Sequence, residues 1–257
     1  RDIGLSLRRL GRWEESVRSF ERTLELDPLN SFAAATLAET LALMNDWARL
    51  EPLVDQWLAR EPNSGDFVAY KISTLINRYG DLEAAGAVLE AAEKAGGIRV
   101  GYALYEVAVY SRDWDRLLYS VRDDRSDGPL AIFDITEDFQ LGEVYALMGQ
   151  AETARGHLEA YLAYAAENPT TGRIAGAFRN ANLAVAHARL GNDQAALAHA
   201  ERASELLPLE DDHLFGSNIE QSNTWVLAMT GQRELALERI KPRGGCPGPT
   251  AQRPRRN

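Results

Sequence analysis

The sequence predicts an all-α fold built of repeated helical hairpins. The stretch GRWEESVRSFERTLELDP begins at Gly11, and the similar stretch NDWARLEPLVDQWLAREP begins 34 residues later. Each contains a turn residue, a tryptophan, an apolar stripe and a closing proline. In the first stretch, Val17, Phe20 and Leu24 recur at helical spacing with charged residues between them. A helix, a tight turn and a second helix that ends at a proline make an antiparallel hairpin, so the period indicates a series of such hairpins.

The first hairpin, at residues 1–30, resembles the tetratricopeptide repeat, a helical hairpin of about 34 residues with fixed small and large positions. The residues that carry the resemblance are Ile3, Gly4, Leu7, Gly11, Trp13, Phe20 and Pro28. Ser16 and Thr23 take small positions where the family usually has alanine. The resemblance implies a right-handed superhelical solenoid in which the first helix of each hairpin lines the concave face.

About six to seven such hairpins are expected, near residues 1–30, 31–64, 65–97, 98–124, 135–169, 174–210 and 214–240. The second has Leu50 and Trp57 where small residues are usual. The third runs one residue out of phase, and an insertion around Arg122–Pro129 follows the fourth. In order, the later hairpins are marked by Leu82 and Ala85, Tyr105 and Trp114, Gly142 and Pro169, Ala184 and Pro208, and Gly231 and Ala236. Because stacked hairpins bury apolar faces that one hairpin leaves open, residues 1–240 are predicted to form one solenoid.

The last 17 residues differ from the rest of the chain. Residues 241–257 read KPRGGCPGPTAQRPRRN, a Pro/Gly/Arg-rich stretch without apolar periodicity, which predicts a disordered tail. The tail carries five Lys/Arg and no acid, whereas the whole chain has a formal net charge of −10. An acidic body disfavours non-specific binding to nucleic acid, so no nucleic-acid partner is expected. No apolar run approaches the roughly 20 residues of a membrane-spanning helix.

No residue pattern for catalysis, a metal or a cofactor is evident. The four histidines include no His-Glu-x-x-His pair, and Cys246 has no second cysteine for a disulfide. Asp123, Asp127 and Asp134 partly fit a calcium loop, but Arg125 stands where a ligand oxygen is required. The chain is therefore predicted not to be an enzyme, with no catalytic residue, no metal site and no cofactor.

Partner binding is predicted in the concave groove, at the outward positions of the first helices. Aromatic residues alternate there with Glu, Asn and Arg, which suits the stacking and hydrogen bonding of a peptide. The series includes Arg8, Arg9, Phe32, Glu39, Phe67, Tyr110, Phe178, Asn218 and Gln221. The residues predicted to bind the partner are Tyr70, Asn77, Arg78, Tyr102, Glu106, Phe139, Glu143 and Trp225. For Phe32 and Phe178 the alternative is packing between neighbouring repeats.

Two interpretations of function follow. The first is a non-catalytic scaffold that binds a segment of a partner protein or peptide in its concave groove. The second rests on LARLGNDQAALAHAERASELLPLEDD and AMTGQRELALERI, which resemble the C-terminal repeat arrays of bacterial signalling proteins. That resemblance implies a sensory or regulatory region, with a kinase, cyclase or winged-helix effector domain upstream of Arg1. A cytoplasmic location is expected, and an extracytoplasmic one stays open because the chain begins with Arg1.

Overall fold

The computed structural model describes residues 2–95, 101–123 and 133–240, which contain fourteen α-helices and no strand. The helices are α1 (Asp2–Arg9), α2 (Trp13–Leu26), α3 (Ser31–Leu43), α4 (Trp47–Arg60), α5 (Gly65–Thr74), α6 (Leu82–Lys94), α7 (Gly101–Ser111), α8 (Trp114–Asp123), α9 (Glu137–Leu147), α10 (Ala151–Glu167), α11 (Arg173–Arg189), α12 (Asp193–Leu206), α13 (Phe215–Met229) and α14 (Arg233–Ile240). The prediction of an all-α fold of helical hairpins is confirmed. The tail predicted at residues 241–257 lies outside the described residues.

Every hairpin turns at a residue with a positive φ angle, which gives the repeats a common register. The turn residues are Gly11, Asn45, Gly80, Arg112, Gly149, Gly191 and Gly231. Glycine adopts this left-handed backbone without steric cost, which explains why it holds most of these positions. Positions in different hairpins can therefore be compared by counting back from the turn residue.

A π-helical segment, Leu75–Tyr79, continues α5 to the turn of the third hairpin. A π turn holds one more residue than an α turn. Successive turn residues are 34 apart from Gly11 to Asn45 but 35 apart from Asn45 to Gly80. The one-residue phase shift of the third hairpin therefore arises from a wider helical turn within its first helix.

The described residues divide into two compact units. Unit 1 comprises residues 2–8, 12–95 and 101–111, and unit 2 comprises residues 9–11, 112–123 and 133–240. Unit 1 holds the hairpins from α1 to α6 and the following helix α7. Unit 2 holds the helices from α8 to α14.

The core of unit 1 depends on paired large and small residues. Phe20 is fully buried against Gly4, where a Cβ atom would lie 2.7 Å from the phenyl Cζ. Trp57, which is large where the repeat usually has a small residue, is also buried and stacks on Phe67 with ring centroids 5.3 Å apart. The large side chain is thus accommodated by an aromatic ring from the next hairpin.

The core of unit 2 includes a buried polar cluster around Arg179. Its guanidinium forms an ion pair with Asp134, whose side chain is 9% exposed, and donates from Nη1 to the carbonyl of Asn168 at 2.8 Å. The hydroxyl of Tyr161 donates to Asp134 at 2.8 Å. These bonds connect the side chain of Asp134, just before α9, to both α10 and α11.

Candidate binding groove

A cavity of about 540 Å³ lies within unit 1, on the first helices of three successive hairpins. We call it the unit 1 groove. It is lined by Leu5, Arg8, Ser31, Phe32, Ala35, Thr36, Glu39, Glu61, Ser64, Asp66, Phe67 and Tyr70. Most of these residues belong to α1, α3 and α5, the helices on which the sequence predicts a binding surface.

Arg8 and Glu39 form the central ion pair of the groove. Arg8 Nη1 lies 2.6 Å from Glu39 Oε2 and 3.5 Å from the hydroxyl of Thr40. The Arg8 side chain is 7% exposed, whereas that of Glu39 is 44% exposed. The pair therefore joins a guanidinium buried on α1 to a carboxylate on α3 that water still reaches.

Tyr70 is half-buried and lines the same groove. Burial raises the pKa of its hydroxyl, and the negative charges of Glu39 and Asp66 raise it further. The hydroxyl makes no hydrogen bond with any part of the chain that the structure describes. Tyr70 therefore presents a protonated, available hydrogen-bond donor at the position where the sequence predicts a partner contact.

Two acidic residues at the groove, Glu61 and Asp66, are absent from the residues predicted to bind the partner. Both are exposed, Glu61 just after α4 and Asp66 in the first turn of α5. Neither carboxylate has an ion-pair partner within residues 2–95, 101–123 and 133–240. The prediction considered only outward positions of the first helices. The stretch EPNSGD, where α4 ends and α5 begins, already placed two acids and a proline together.

Asn77 and Glu106 meet in a second contact of unit 1. Asn77 Nδ2 donates to Glu106 Oε1 at 2.9 Å, which joins the π-helical segment to α7. Glu106 is 8% exposed, and its Oε2 has no hydrogen-bond partner among the described residues. Burial raises the pKa of this carboxyl group, and the hydrogen bond from Asn77 partly opposes that rise. The structure thus brings two of the predicted binding residues together, with Glu106 buried and Asn77 exposed.

Arg78 and Tyr102 stand apart from this contact. Arg78 Nη1 donates to Glu51 Oε2 at 2.8 Å and to the carbonyl of Trp47 at 3.0 Å, so its side chain lies against α4. Arg78 is not among the residues that line the unit 1 groove. Tyr102 belongs to α7, but its side chain lies outside the described residues.

The three predicted binding residues in unit 2 have separate surroundings. Phe139 is half-buried and packs against Tyr161, with ring centroids 5.0 Å apart. Both carboxylate oxygens of Glu143 accept hydrogen bonds from Arg189, each at 3.0 Å. Trp225 is 58% exposed on α13. Phe139 and Glu143 thus have packing and charge partners within unit 2, while Trp225 presents an indole ring to solvent.

Comparison with known protein families identifies the first hairpin. Residues 2–31 match the family model described as Tetratricopeptide repeat. A search of curated proteins found no match. The solved structure of PilW, a widely conserved type IV pilus biogenesis factor, is similar with a TM-score of 0.54 at 16% identity, over 85% of this chain and 95% of PilW. Residues 2–31 therefore carry a tetratricopeptide repeat, and the fold of the chain is similar to that of PilW.

Two further solved structures are similar to this repeat protein. TTC0263, a thermophilic tetratricopeptide repeat protein of Thermus thermophilus, has a TM-score of 0.42 at 19% identity, over 88% of this chain and 96% of TTC0263. A chain of the Naa15/Naa10 structure bound to HypK-THB has a TM-score of 0.37 at 15% identity, over 89% of this chain and 33% of that chain. At such identities the likeness to PilW concerns the fold alone.

The acidic, histidine and apolar residues elsewhere in the chain bear on metal binding and on membrane insertion. Within the part of the chain that the structure describes, no group of three or more His, Cys, Asp or Glu residues is placed to hold a metal ion. The central residues of the partial calcium loop, including Arg125 and Asp127, lie outside that part. His187 and His199 stack with ring centroids 5.4 Å apart, and burial lowers the pKa of both. None of the described helices has the length and apolar character needed to cross a membrane.

Proposed function

We propose that the repeat protein is a non-catalytic interaction scaffold that binds a segment of a partner protein in the unit 1 groove. A segment that crosses α1, α3 and α5 contacts three hairpins at once, so its affinity is spread over several repeats. The volume of about 540 Å³ lies within the range of about 300–1,000 Å³ for ligand pockets. The interpretation as part of a bacterial signalling protein stays a prediction.

The observation that carries this proposal is the unused binding capacity of the groove. Tyr70 offers a hydroxyl donor without a partner among the described residues, and Phe32 is 51% exposed. Aromatic side chains are typical anchors of protein interfaces, and a tyrosine hydroxyl adds a hydrogen bond to the packing of the ring. A bound segment would bury Phe32 and give Tyr70 an acceptor.

A peptide-display experiment tests the proposal. The full chain is used to select from a library of random short linear peptides, and the selected peptides are assayed against two variants. Ala35→Trp fills the groove from α3, and the matched control Ala48→Trp adds the same ring on the exposed face of α4. We expect Ala35→Trp to weaken binding at least about tenfold, which corresponds to about 1.4 kcal/mol, and Ala48→Trp to leave binding unchanged.

Circular dichroism of each variant checks that its helical content matches that of the native chain. Equal binding to both variants would move the binding surface away from the unit 1 groove. Failure to select any peptide would contradict the scaffold proposal itself.

A further inference from the structure

We infer that the unit 1 groove recognises a basic side chain: its occupant is a partner-protein segment that carries a lysine or arginine beside a large apolar residue. The inference rests on the proposed function and adds the chemistry of the partner. It follows from the charge of the groove, the hydrogen-bond donors inside it and the apolar residues on its walls.

The groove carries an excess of negative charge. Its charged residues are Arg8, Glu39, Glu61 and Asp66. The guanidinium of Arg8 is committed to Glu39 at 2.6 Å, so the two charges largely compensate each other. Glu61 and Asp66 have no ion-pair partner in the described part of the chain. The groove therefore presents two uncompensated carboxylates, which favour a cationic ligand through charge complementarity.

The groove also has hydrogen-bond donors that lack an acceptor in the described part of the chain. Arg8 is 5% exposed, and its Nε–H has no acceptor among the described residues. The hydroxyl of Tyr70 also lacks a hydrogen-bond partner there. A donor without an acceptor costs about 1–3 kcal/mol, so a ligand acceptor gains affinity at the Tyr70 hydroxyl, whereas the enclosed Arg8 Nε lies beyond its reach. Backbone carbonyl groups supply such acceptors, whereas a simple cation does not, which favours a peptide.

The walls of the groove suit the aliphatic stem of a basic residue and an apolar neighbour. Leu5, Phe32 and Ala35 provide aliphatic and aromatic surface, and the unpaired carboxylates are exposed beside them. Lysine and arginine pack their stems on apolar surface while the charged group reaches a polar edge. Aromatic faces also attract a guanidinium or ammonium group.

The basic tail of this chain is the competing occupant. Residues 241–257 contain five Lys/Arg, but their only uncharged apolar side chains are those of Cys246, Ala251 and the prolines. The tail therefore supplies charge without the large apolar residue that the walls favour. We therefore infer a partner segment, and a variant with a neutral tail distinguishes it from the tail itself.

The experiment measures two synthetic probes against the full chain by NMR titration of its backbone amides. One probe is acetyl-Gly-Leu-Arg-Leu-Gly-amide, and the other has citrulline, a neutral group of the same shape, in place of arginine. We expect the arginine probe to bind about tenfold more tightly and to shift amides of α3 and α5. Two ion pairs at a partly exposed site account for a preference of that order.

Paired variants assign the preference to the groove. In Glu61→Gln/Asp66→Asn the preference for arginine should fall to about onefold, because both unpaired carboxylates are gone. The matched control Glu21→Gln/Glu83→Gln removes the same charge from exposed positions of α2 and α6 and should keep the preference. A third variant changes Lys241, Arg243, Arg253, Arg255 and Arg256 to Gln.

Each outcome decides one point. Equal affinity of the two probes for the native chain would overturn the inference while leaving a groove that binds peptides. A preference that survives Glu61→Gln/Asp66→Asn would also overturn it, because the cation would be recognised elsewhere. Binding that appears only when the tail is neutralised would show that the tail occupies the groove, which overturns the choice of a partner segment. If neither probe binds while displayed peptides still require an open groove at Ala35, the inference fails and the proposed function stands.

Discussion

Two contacts of unit 1 occupy the same register but pair different groups. Arg8 and Asn77 each lie three residues before the turn residue of their hairpin, and Glu39 and Glu106 each lie six residues before theirs. In both cases the first side chain donates to the carboxylate on the first helix of the next hairpin, at 2.6 Å for Glu39 and 2.9 Å for Glu106. One carboxylate therefore meets a cation, and the other meets a neutral amide.

The difference shows that a carboxylate at one register position can pair either with a cation or with a neutral amide. A carboxylate beside a guanidinium keeps its charge at modest cost, whereas a buried carboxylate with only an amide donor is desolvated without a counter-charge. Burial raises the pKa of Glu106, and the one group that opposes the rise is the neutral amide of Asn77. The contact at Glu39 lies in the unit 1 groove, while that at Glu106 lies outside this groove and joins a buried carboxyl group to the exposed Asn77.

The largest expected effect breaks the charged contact. Glu39→Ala leaves the Arg8 guanidinium, whose side chain is 7% exposed, with only the distant hydroxyl of Thr40. A buried charge that loses its partner destabilises a protein by about 3 kcal/mol. Urea unfolding at neutral pH should show this loss. Glu25→Ala, which breaks the exposed pair with Arg22, should leave the midpoint unchanged.

A smaller effect is expected from breaking the neutral contact. Asn77→Ala removes the donor to Glu106 and should lower the free energy of unfolding by about 1.5 kcal/mol, because the carboxylate then lacks its observed hydrogen bond. The pKa of Glu106, followed by the ¹³C shift of its carboxyl carbon, should rise further. Asn63→Ala, at an exposed position before α5, is the matched control and should change neither quantity. An unshifted Glu106 resonance in Asn77→Ala would contradict the assignment of this pair.

The smallest effect, that of Glu106→Gln, is an increase in the free energy of unfolding. The pKa of Glu106 is higher in the folded chain than its ordinary value. At pH values between the ordinary pKa and the raised pKa, the folded state therefore binds more protons than the unfolded state. Stability from this group is therefore present below the unfolded pKa and is lost as pH rises through the folded pKa.

Glu106→Gln should remove that pH dependence, because glutamine does not titrate, and should raise stability at pH 7 by less than about 1 kcal/mol. Thermal unfolding of both chains between acidic and neutral pH measures the effect. Parallel curves for the native chain and Glu106→Gln would show that Glu106 does not titrate differently on folding.

Much of the fold could be predicted because the same hairpin pattern recurs several times in the sequence. The turn at Gly11 and the proline that closes the second helix mark a hairpin at residues 1–30. The same pattern marks a second hairpin one period later. The one-residue slip of the third hairpin was visible, but its form was not. A longer loop and a wider helical turn add the same residue to a sequence, and only the backbone distinguishes them.

The lining of the unit 1 groove could be predicted less completely than the fold. Of two residues that the register places on the concave side, Tyr70 lines the groove and Arg78 does not. Arg78, two residues before the turn at Gly80, lies instead against Glu51 of α4. Glu61 and Asp66 were missed because they stand at helix ends, where periodicity carries no information.

The π-helical segment also bears on how such a gene can change. A single inserted codon normally shifts every later position of a repeat, but here the chain reaches Gly80 and begins its next helix with the hairpin intact. The extra residue is absorbed in one wide turn, and only the side chains close to it point in new directions. Repeat arrays can therefore acquire new surface contacts through length changes of one residue, without any substitution in the residues that stack the hairpins.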